Sequence, residues 1–262
     1  MISFVGAGPG ADDLLTLRAV DRLRAADVVV WASSLVPAAV LDHAAPGAVV
    51  HDSAGMTFED VTAIYAGDPD AAIVRLHSGD LSLYSAVQEQ VDWCLAHDRE
   101  FEIVPGVGAL AAASASVARE LTVPAVAQSV VATRLPGRTA ASMPPGETVA
   151  AFARHRTTMA VYLSGARPEQ LCDELRAGGE GYPDDTPAAV VVRATWPDER
   201  VLLTTVGELA ETMRAAGSRV TVLVLVGPAL AGAAPRCKLY DPAYAHGHRR
   251  RSVPGSTVGR PR

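Results

Sequence analysis

The sequence predicts an α/β protein made of two successive α/β domains. Three observations carry that expectation. Strand-like runs and helical patterns alternate through the first half of the chain, the style changes to β-branched runs after Pro124, and a glycine-rich turn directly follows the first strand-like run. Such alternation calls for a largely parallel sheet with helices on its faces.

Residues 2–5 form the first run and lead into Gly6-Ala7-Gly8-Pro9-Gly10, where missing Cβ atoms let the backbone turn sharply and approach a ligand. A helical pattern spans 12–24, with Asp12 or Asp13 placed as its N-cap and Ala25-Ala26-Asp27 closing it before the run 28–31. Further strand-like runs at 49–52, 72–76 and 101–104 are separated by helical patterns at 57–66 and 82–97, and another helix is expected over 109–120. Beyond Leu121-Thr122-Val123-Pro124 come runs at 158–163, 188–194, 201–205 and 220–226, with helices at 168–177 and 206–216. The tight Trp196-Pro197-Asp198-Glu199 turn returns 201–205 antiparallel beside its predecessor. Segment 135–147, with three prolines and two glycines, reads as a long loop, and the Arg/Gly/Ser/Pro-rich tail reads as disordered beyond Arg250. The expected organisation is an N-terminal domain over 1–120, a C-terminal domain over 121–243 and a tail over 244–262.

Bulk properties narrow the function classes. A chain of 262 residues can bury two modest cores. Its net charge of −6 argues against a general nucleic-acid surface, so an anionic ligand must meet locally placed arginines. No apolar run reaches the roughly 18 residues of a membrane span. Met1-Ile2-Ser3-Phe4 enters a strand-like run without the basic and apolar regions of a secretory signal, and a cytoplasmic location is expected. Cys94, Cys172 and Cys237 are isolated thiols without CxxC spacing, which argues against a disulfide framework or a structural zinc site; no metal is expected.

The glycine-rich turn is a defective dinucleotide fingerprint. A GxGxxG loop needs a third glycine three residues after the second and an acid at the end of the next strand. Here the three-spaced position is Ala11, and the next run ends in Trp31-Ala32-Ser33 with no carboxylate for a ribose. An NAD-type oxidoreductase is disfavoured.

Several segments together fit one family. Gly6-Ala7-Gly8-Pro9-Gly10, Asp52-Ser53-Ala54-Gly55-Met56-Thr57, Arg75-Leu76-His77-Ser78-Gly79-Asp80, Gln88-Glu89-Gln90, Val104-Pro105-Gly106-Val107, Arg193-Ala194-Thr195-Trp196-Pro197-Asp198-Glu199 and Lys238-Leu239-Tyr240-Asp241 occur in that order. Over residues 2–248 the chain strongly resembles the tetrapyrrole (corrin/porphyrin) methyltransferases. The Asp-Ser-Ala-Gly-Met, Gln-Glu-Gln and Trp-Pro-Asp-Glu segments point to the subgroup that methylates carbon 11 of precorrin-4 or cobalt-precorrin-4 in cobalamin biosynthesis. The resemblance implies two α/β domains with S-adenosyl-L-methionine in the cleft between them, and a homodimer.

Carried over position by position, the resemblance implies donor contacts at Pro9, at Gly79, Asp80 and Leu81, at Tyr84, at Gly108 and Ala109, at Leu163 and at Ala194. Leu81 stands where the family usually has proline, and Gly108 and Ala109 lack the hydroxyls common in relatives, so backbone N–H groups must serve there. For the tetrapyrrole the candidates are Gly8, Ser34, Met56, Arg134 and Arg138, the two arginines because guanidinium forks match carboxylates. Solvated loop charge is the other reading of that pair. Asp80 has a second reading as a cap for a helix opening at Ser82. Met56 and Trp196 either line the tetrapyrrole trough or belong to the core, and His77 reads as structural. In uroporphyrinogen methylases an aspartate after the second strand and a lysine after the third are proposed acid/base groups. The matching places here hold Ala32-Ser33 and Asp52-Ser53, so no catalytic acid or base is assigned.

Overall fold

A computed structural model describes residues 1–137, 140–232, 236–241 and 243–248. Arg138 and residues 249–262 of the expected tail lie outside the described residues. Among the described residues the strands form two five-stranded sheets.

The first sheet contains β1 (Ile2–Gly6), β2 (Val28–Trp31), β3 (Val49–Asp52), β4 (Ile73–His77) and β5 (Phe101–Val104). Their order is β3-β2-β4-β1-β5 and every pairing is parallel. The interior strand β1, paired on both sides, is buried along its whole length, as a strand covered on both faces must be. Val5, Val29, Val74 and Leu76 pack on one face with Ala19 and Leu23 of α1 (Leu17–Arg24). Ile2, Phe4, Val30 and Ile73 pack on the other with Val61 and Tyr65 of α2 (Phe58–Gly67) and Cys94 of α3 (Val87–Ala96).

Two helix starts in this region differ from expectation, α1 because Thr16 supplies its cap and α3 because Asp80 holds a turn ahead of it. Residues 12–14 make only a 3-10 turn. Leu15 is extended, and α1 begins after Thr16, whose Oγ1 accepts from the Ala19 N–H at 3.1 Å. Helix α3 begins at Val87 rather than near 82, because Asp80 Oδ1 accepts from the Ser82 N–H and hydroxyl at 2.9 and 2.7 Å and Ala86 turns left-handed at φ 52°. Asp80 therefore closes a tight turn and does not cap a helix. Helix α2 starts as anticipated, with a reciprocal capping box between Thr57 and Asp60. Helix α4 (Ala109–Ser116) is shorter than expected, ending before Ala118 at φ 51°.

The second sheet comprises β6 (Val130–Arg134), β7 (Thr158–Tyr162), β8 (Pro187–Val192), β9 (Arg200–Thr205) and β10 (Val222–Val226). Helix α5 (Val149–Ala153) lies between β6 and β7, α6 (Pro168–Arg176) follows β7, and α7 (Leu209–Ala216) follows β9. The order is β6-β7-β10-β8-β9; β6 pairs parallel with β7 and the other pairings are antiparallel, including the expected β8–β9 return. Strand β6 and helix α5 were not anticipated from the sequence. One face buries Met159, Val161, Val190 and Val224 against Leu171 and Leu175 of α6 and Leu209 and Met213 of α7. On the opposite face Ala160, Ala189, Val191 and Leu225 receive Ala112 and Ala113 of α4 and Val117 just beyond its end. The helix that follows the first sheet thus covers the second, and the junction leaves a cleft at its open end.

Candidate functional site

The loops that leave β1, β4 and β5 meet backbone to backbone at the C-terminal edge of the first sheet. The Gly8 N–H donates to Gly79 O at 3.0 Å and the Gly79 N–H to Gly8 O at 2.7 Å, with left-handed φ values of 77° and 69°. A Cβ at Gly6 would fall 2.6 Å from Gly106 N, and one at Gly106 would collide with Gly79 O. Glycine is required here for close approach, which packs three loops into a floor.

Above this floor lies a cleft of about 800 Å³. Pro9, Gly79, Asp80 and Tyr84 line it from the first sheet, and Gly108 and Ala109 from the start of α4. Leu163 follows β7 and Ala194 follows β8, and both line it from the second sheet. Eight of the nine positions expected to hold the donor border one volume. Leu81 does not. It is 6% exposed and packs in the core with Phe4, Val61 and Tyr65, so its side chain anchors the turn from beneath.

The residues expected to hold the tetrapyrrole are more dispersed. Gly8 is buried in its pairing with Gly79 and does not line the cleft. Ser34 is exposed outside the cleft, although its neighbour Leu35 lines it. Met56 packs against the Phe4–Tyr65 core, which favours the core reading for that residue. Arg134, at the end of β6, donates to Ser142 Oγ at 2.8 Å, within the 135–147 segment.

Tyr162, Val191, Thr221 and Leu223 also line the cleft and were missed in the sequence. Tyr162 ends β7 immediately before Leu163, so its position beside an expected contact was the available signal. Its ring lies 5.1 Å from that of Tyr84, and burial, aided by Tyr84 and Asp80, pushes its phenol up to about 12. Tyr162 is therefore a neutral hydroxyl at neutral pH, able to donate or accept but not to act as a phenolate. Beneath the cleft, His77 Nδ1 lies 3.1 Å from Ser85 O, and burial with the neighbouring Arg75 charge lowers the ring to about 3. His77 is neutral in the working range and ties β4 to the turn after Asp80. Asp52 Oδ1 accepts from the Ser33 and Ala54 N–H groups at 3.1 and 3.0 Å, and the Ser33 and Ala54 hydrogen bonds hold its carboxyl below the usual range. An ionised Asp52 joins the loops after β2 and β3.

The Arg193–Glu199 segment crosses from the second sheet to the glycine-rich loop. Trp196 Nε1–H donates to Pro9 O at 2.9 Å, and the Ala11 N–H donates to Thr195 Oγ1 at 3.0 Å. The Trp196 indole therefore belongs to the junction between the sheets. The arrangement offers a shared cleft with apolar walls, a carboxylate at Asp80, two tyrosines and the uncapped N-terminus of α4. Such a site can hold and orient a medium-sized polar molecule.

The family model for tetrapyrrole (corrin/porphyrin) methylases matches residues 1–210. A precorrin-4 C(11)-methyltransferase from Sinorhizobium sp. is 42% identical over 93% of this chain and 96% of its own length. A cobalt-precorrin-4 C(11)-methyltransferase from Methanocaldococcus jannaschii is 37% identical over 95% of this chain and 96% of its own. Among solved structures, the X-ray structure of a cobalt precorrin-4 methyltransferase superposes with a TM-score of 0.80 at 38% identity, covering 87% of this chain and 95% of that one. A uroporphyrin-III C-methyltransferase from Thermus thermophilus, complexed with S-adenosyl homocysteine, gives 0.72 at 28% identity over 87% and 98% of the two chains.

Proposed function

The chain belongs to the tetrapyrrole (corrin/porphyrin) methylases, and on that footing we propose that it methylates carbon 11 of precorrin-4 in cobalamin biosynthesis, with S-adenosyl-L-methionine as donor. The observation that carries the donor assignment is the single cleft bordered by Pro9 and Asp80 from one sheet and by Leu163 and Ala194 from the other. Apolar Leu163, Val191 and Ala194 suit an adenine face. Asp80 can accept from hydroxyl or ammonium groups, and the first N–H groups of α4 suit a carboxylate.

The donor's sulfonium supplies an electrophilic methyl, and the electron-rich tetrapyrrole carbon attacks it. The protein's task is then alignment and exclusion of water. Holding two reactants in line can lower a barrier by roughly 7–11 kcal/mol, enough for a site without a dedicated acid or base. Glycine-packed loops suit that task because their backbone has little room to shift. We also propose that residues 1–120 and 121–243 act as two domains around the donor, in a cytoplasmic homodimer, with Arg134 and Arg138 meeting substrate carboxylates.

Identity of 42% with the precorrin-4 enzyme against 37% with the cobalt-precorrin-4 enzyme favours the metal-free substrate. The test is incubation with methyl-labelled S-adenosyl-L-methionine and each substrate in turn, followed by NMR of the product. Label on carbon 11 from metal-free precorrin-4 is the expected result. Binding of both ligands without transfer would replace the enzyme reading with a noncatalytic tetrapyrrole-binding role.

A further inference from the structure

The Trp-Pro-Asp-Glu turn carries more hydrogen bonds to distant parts of the chain than a β8–β9 connection needs. Besides the Trp196–Pro9 and Ala11–Thr195 bonds, Glu199 Oε2 accepts from the Thr195 N–H at 2.5 Å and from Ser116 Oγ, on α4, at 2.8 Å. Arg193 places its guanidinium carbon 4.0 Å from the Trp196 ring centroid and its Nε 2.8 Å from Asp198 Oδ1, so the indole that bonds Pro9 through its edge also carries a cation over its ring. Arg193 and Thr195 hold left-handed φ values of 52° and 67°, a conformation that non-glycine residues keep only when their surroundings impose it. Gly10 leaves the space that the indole edge fills: a Cβ there would drive into the Trp196 ring and come 2.9 Å from Ala194 O.

The consequence lies in what these atoms adjoin. Pro9 and Ala194 line the cleft from opposite sheets. Pro9 itself accepts from Trp196 and stands two residues before Ala11, and Ala194 immediately precedes Thr195. We infer that Thr195, Trp196 and Glu199 form a latch that sets the width of the donor cleft, with Trp196 and Thr195 as positioning residues for methyl transfer. The inference deepens the methyltransferase reading and rests on it for its effect on the donor, while the latch itself is a feature of geometry.

Trp196→Phe keeps the ring over Arg193 and removes the N–H that holds Pro9; Thr195→Val removes the acceptor for the Ala11 N–H; Thr195→Ser keeps it. Hydrogen exchange without ligand is read over the segment containing Ala11, S-adenosylhomocysteine affinity is measured by titration, and kcat and KM are measured at 25 °C, well below each melting midpoint. Loss of one such bond is worth about a fivefold change in an equilibrium. We expect Thr195→Val to speed exchange at Ala11 by about that factor. Both Trp196→Phe and Thr195→Val should weaken S-adenosylhomocysteine by about fivefold and lower kcat, with Thr195→Ser near wild type. A purely structural turn would lower the melting temperature and leave affinity and kcat at 25 °C unchanged, and that outcome overturns the inference. Unchanged exchange at Ala11 in Thr195→Val overturns the latch itself. Altered exchange in a protein whose wild type binds no S-adenosylhomocysteine overturns the donor assignment instead.

Discussion

In the N-terminal sheet all pairings are parallel, so the loops after β1, β2, β3, β4 and β5 gather on one edge; in the C-terminal sheet only β6 and β7 pair parallel, and the loops that follow the strands are divided between two edges. Ligands of open parallel sheets bind beyond the carboxyl ends of the strands, where those loops converge. The first region accordingly supplies the glycine floor and the turn at Asp80. The second supplies a wall, made of the ends of β7 and β8 and the start of β10. One region is specialised for backbone proximity and the other for apolar surface. Substitutions and pH should therefore act on them unequally.

Acid provides the largest contrast. The shifted groups of the first region include His77, Asp52, Asp60 and Glu102, whereas those of the second are Tyr162, Tyr182, Cys172 and Arg176, none of which titrates in acid. Burial lowers His77 to about 3 from 6.5, so the unfolded chain takes up the proton first. The stability this group contributes is complete above pH 6.5 and is lost as pH falls toward 3, by on the order of 4 kcal/mol. Denaturant titrations across that range should show the loss, and His77→Asn should flatten it. An unchanged acid limb in the variant would assign it to the carboxylates.

Glycine substitutions come next. A Cβ at Gly106 meets immovable backbone at Gly79 and Gly6, whereas a Cβ at Gly165 in the second region lies 3.0 Å from Arg219 O and 3.2 Å from Val222 Cγ2. Gly106→Ala should cost about 1–3 kcal/mol of stability and abolish measurable donor binding, since overpacked backbone has to move. Gly165→Ala should cost less on both counts. Equal effects, measured by melting and calorimetry, would remove the distinction between floor and wall.

Asp80→Ala should weaken S-adenosylhomocysteine by about 1–3 kcal/mol, the range for losing a charged hydrogen-bond partner. Asp80→Asn retains a turn acceptor for Ser82, so the two variants separate charge from turn geometry. A collapse in melting temperature with affinity intact would make Asp80 purely a turn residue. The smallest effect is expected at the 135–147 loop. Replacing Arg134 and Arg138 with glutamine should raise the tetrapyrrole KM by no more than about fivefold and reduce its salt dependence, leaving donor affinity alone, because charge pairs screened by solvent contribute at most about 1 kcal/mol each. An unchanged KM would move carboxylate recognition to Arg18, Arg119 or Arg193.

Much of the parallel region was legible because its signals are local. Short apolar runs marked each strand, and the small residues of 6–10, 79 and 106–109 marked the loops. The second region was less so. Strand β6 is a five-residue edge strand that owes its place to pairing with β7, twenty-eight residues further on, and α5 is barely more than one turn. The start of α3 misled because Leu81, Ser82 and Leu83 fit a helical pattern, while a side chain outside that pattern, Asp80, took the Ser82 N–H. Leu81 matched a family position but follows its own hydrophobicity into the core. Trp196 was ambiguous for a different reason: its partner Pro9 lies 187 residues away, and no local pattern encodes such a contact.

The proposed donor site is built from both regions together. Calorimetric titration of the wild-type protein with S-adenosylhomocysteine, and separately with NAD, tests it most directly. Saturable S-adenosylhomocysteine binding at micromolar or tighter affinity is expected, lost in Gly106→Ala and weakened in Trp196→Phe, with no heat from NAD. Tight NAD binding with none for S-adenosylhomocysteine, or S-adenosylhomocysteine binding indifferent to both substitutions, would contradict it.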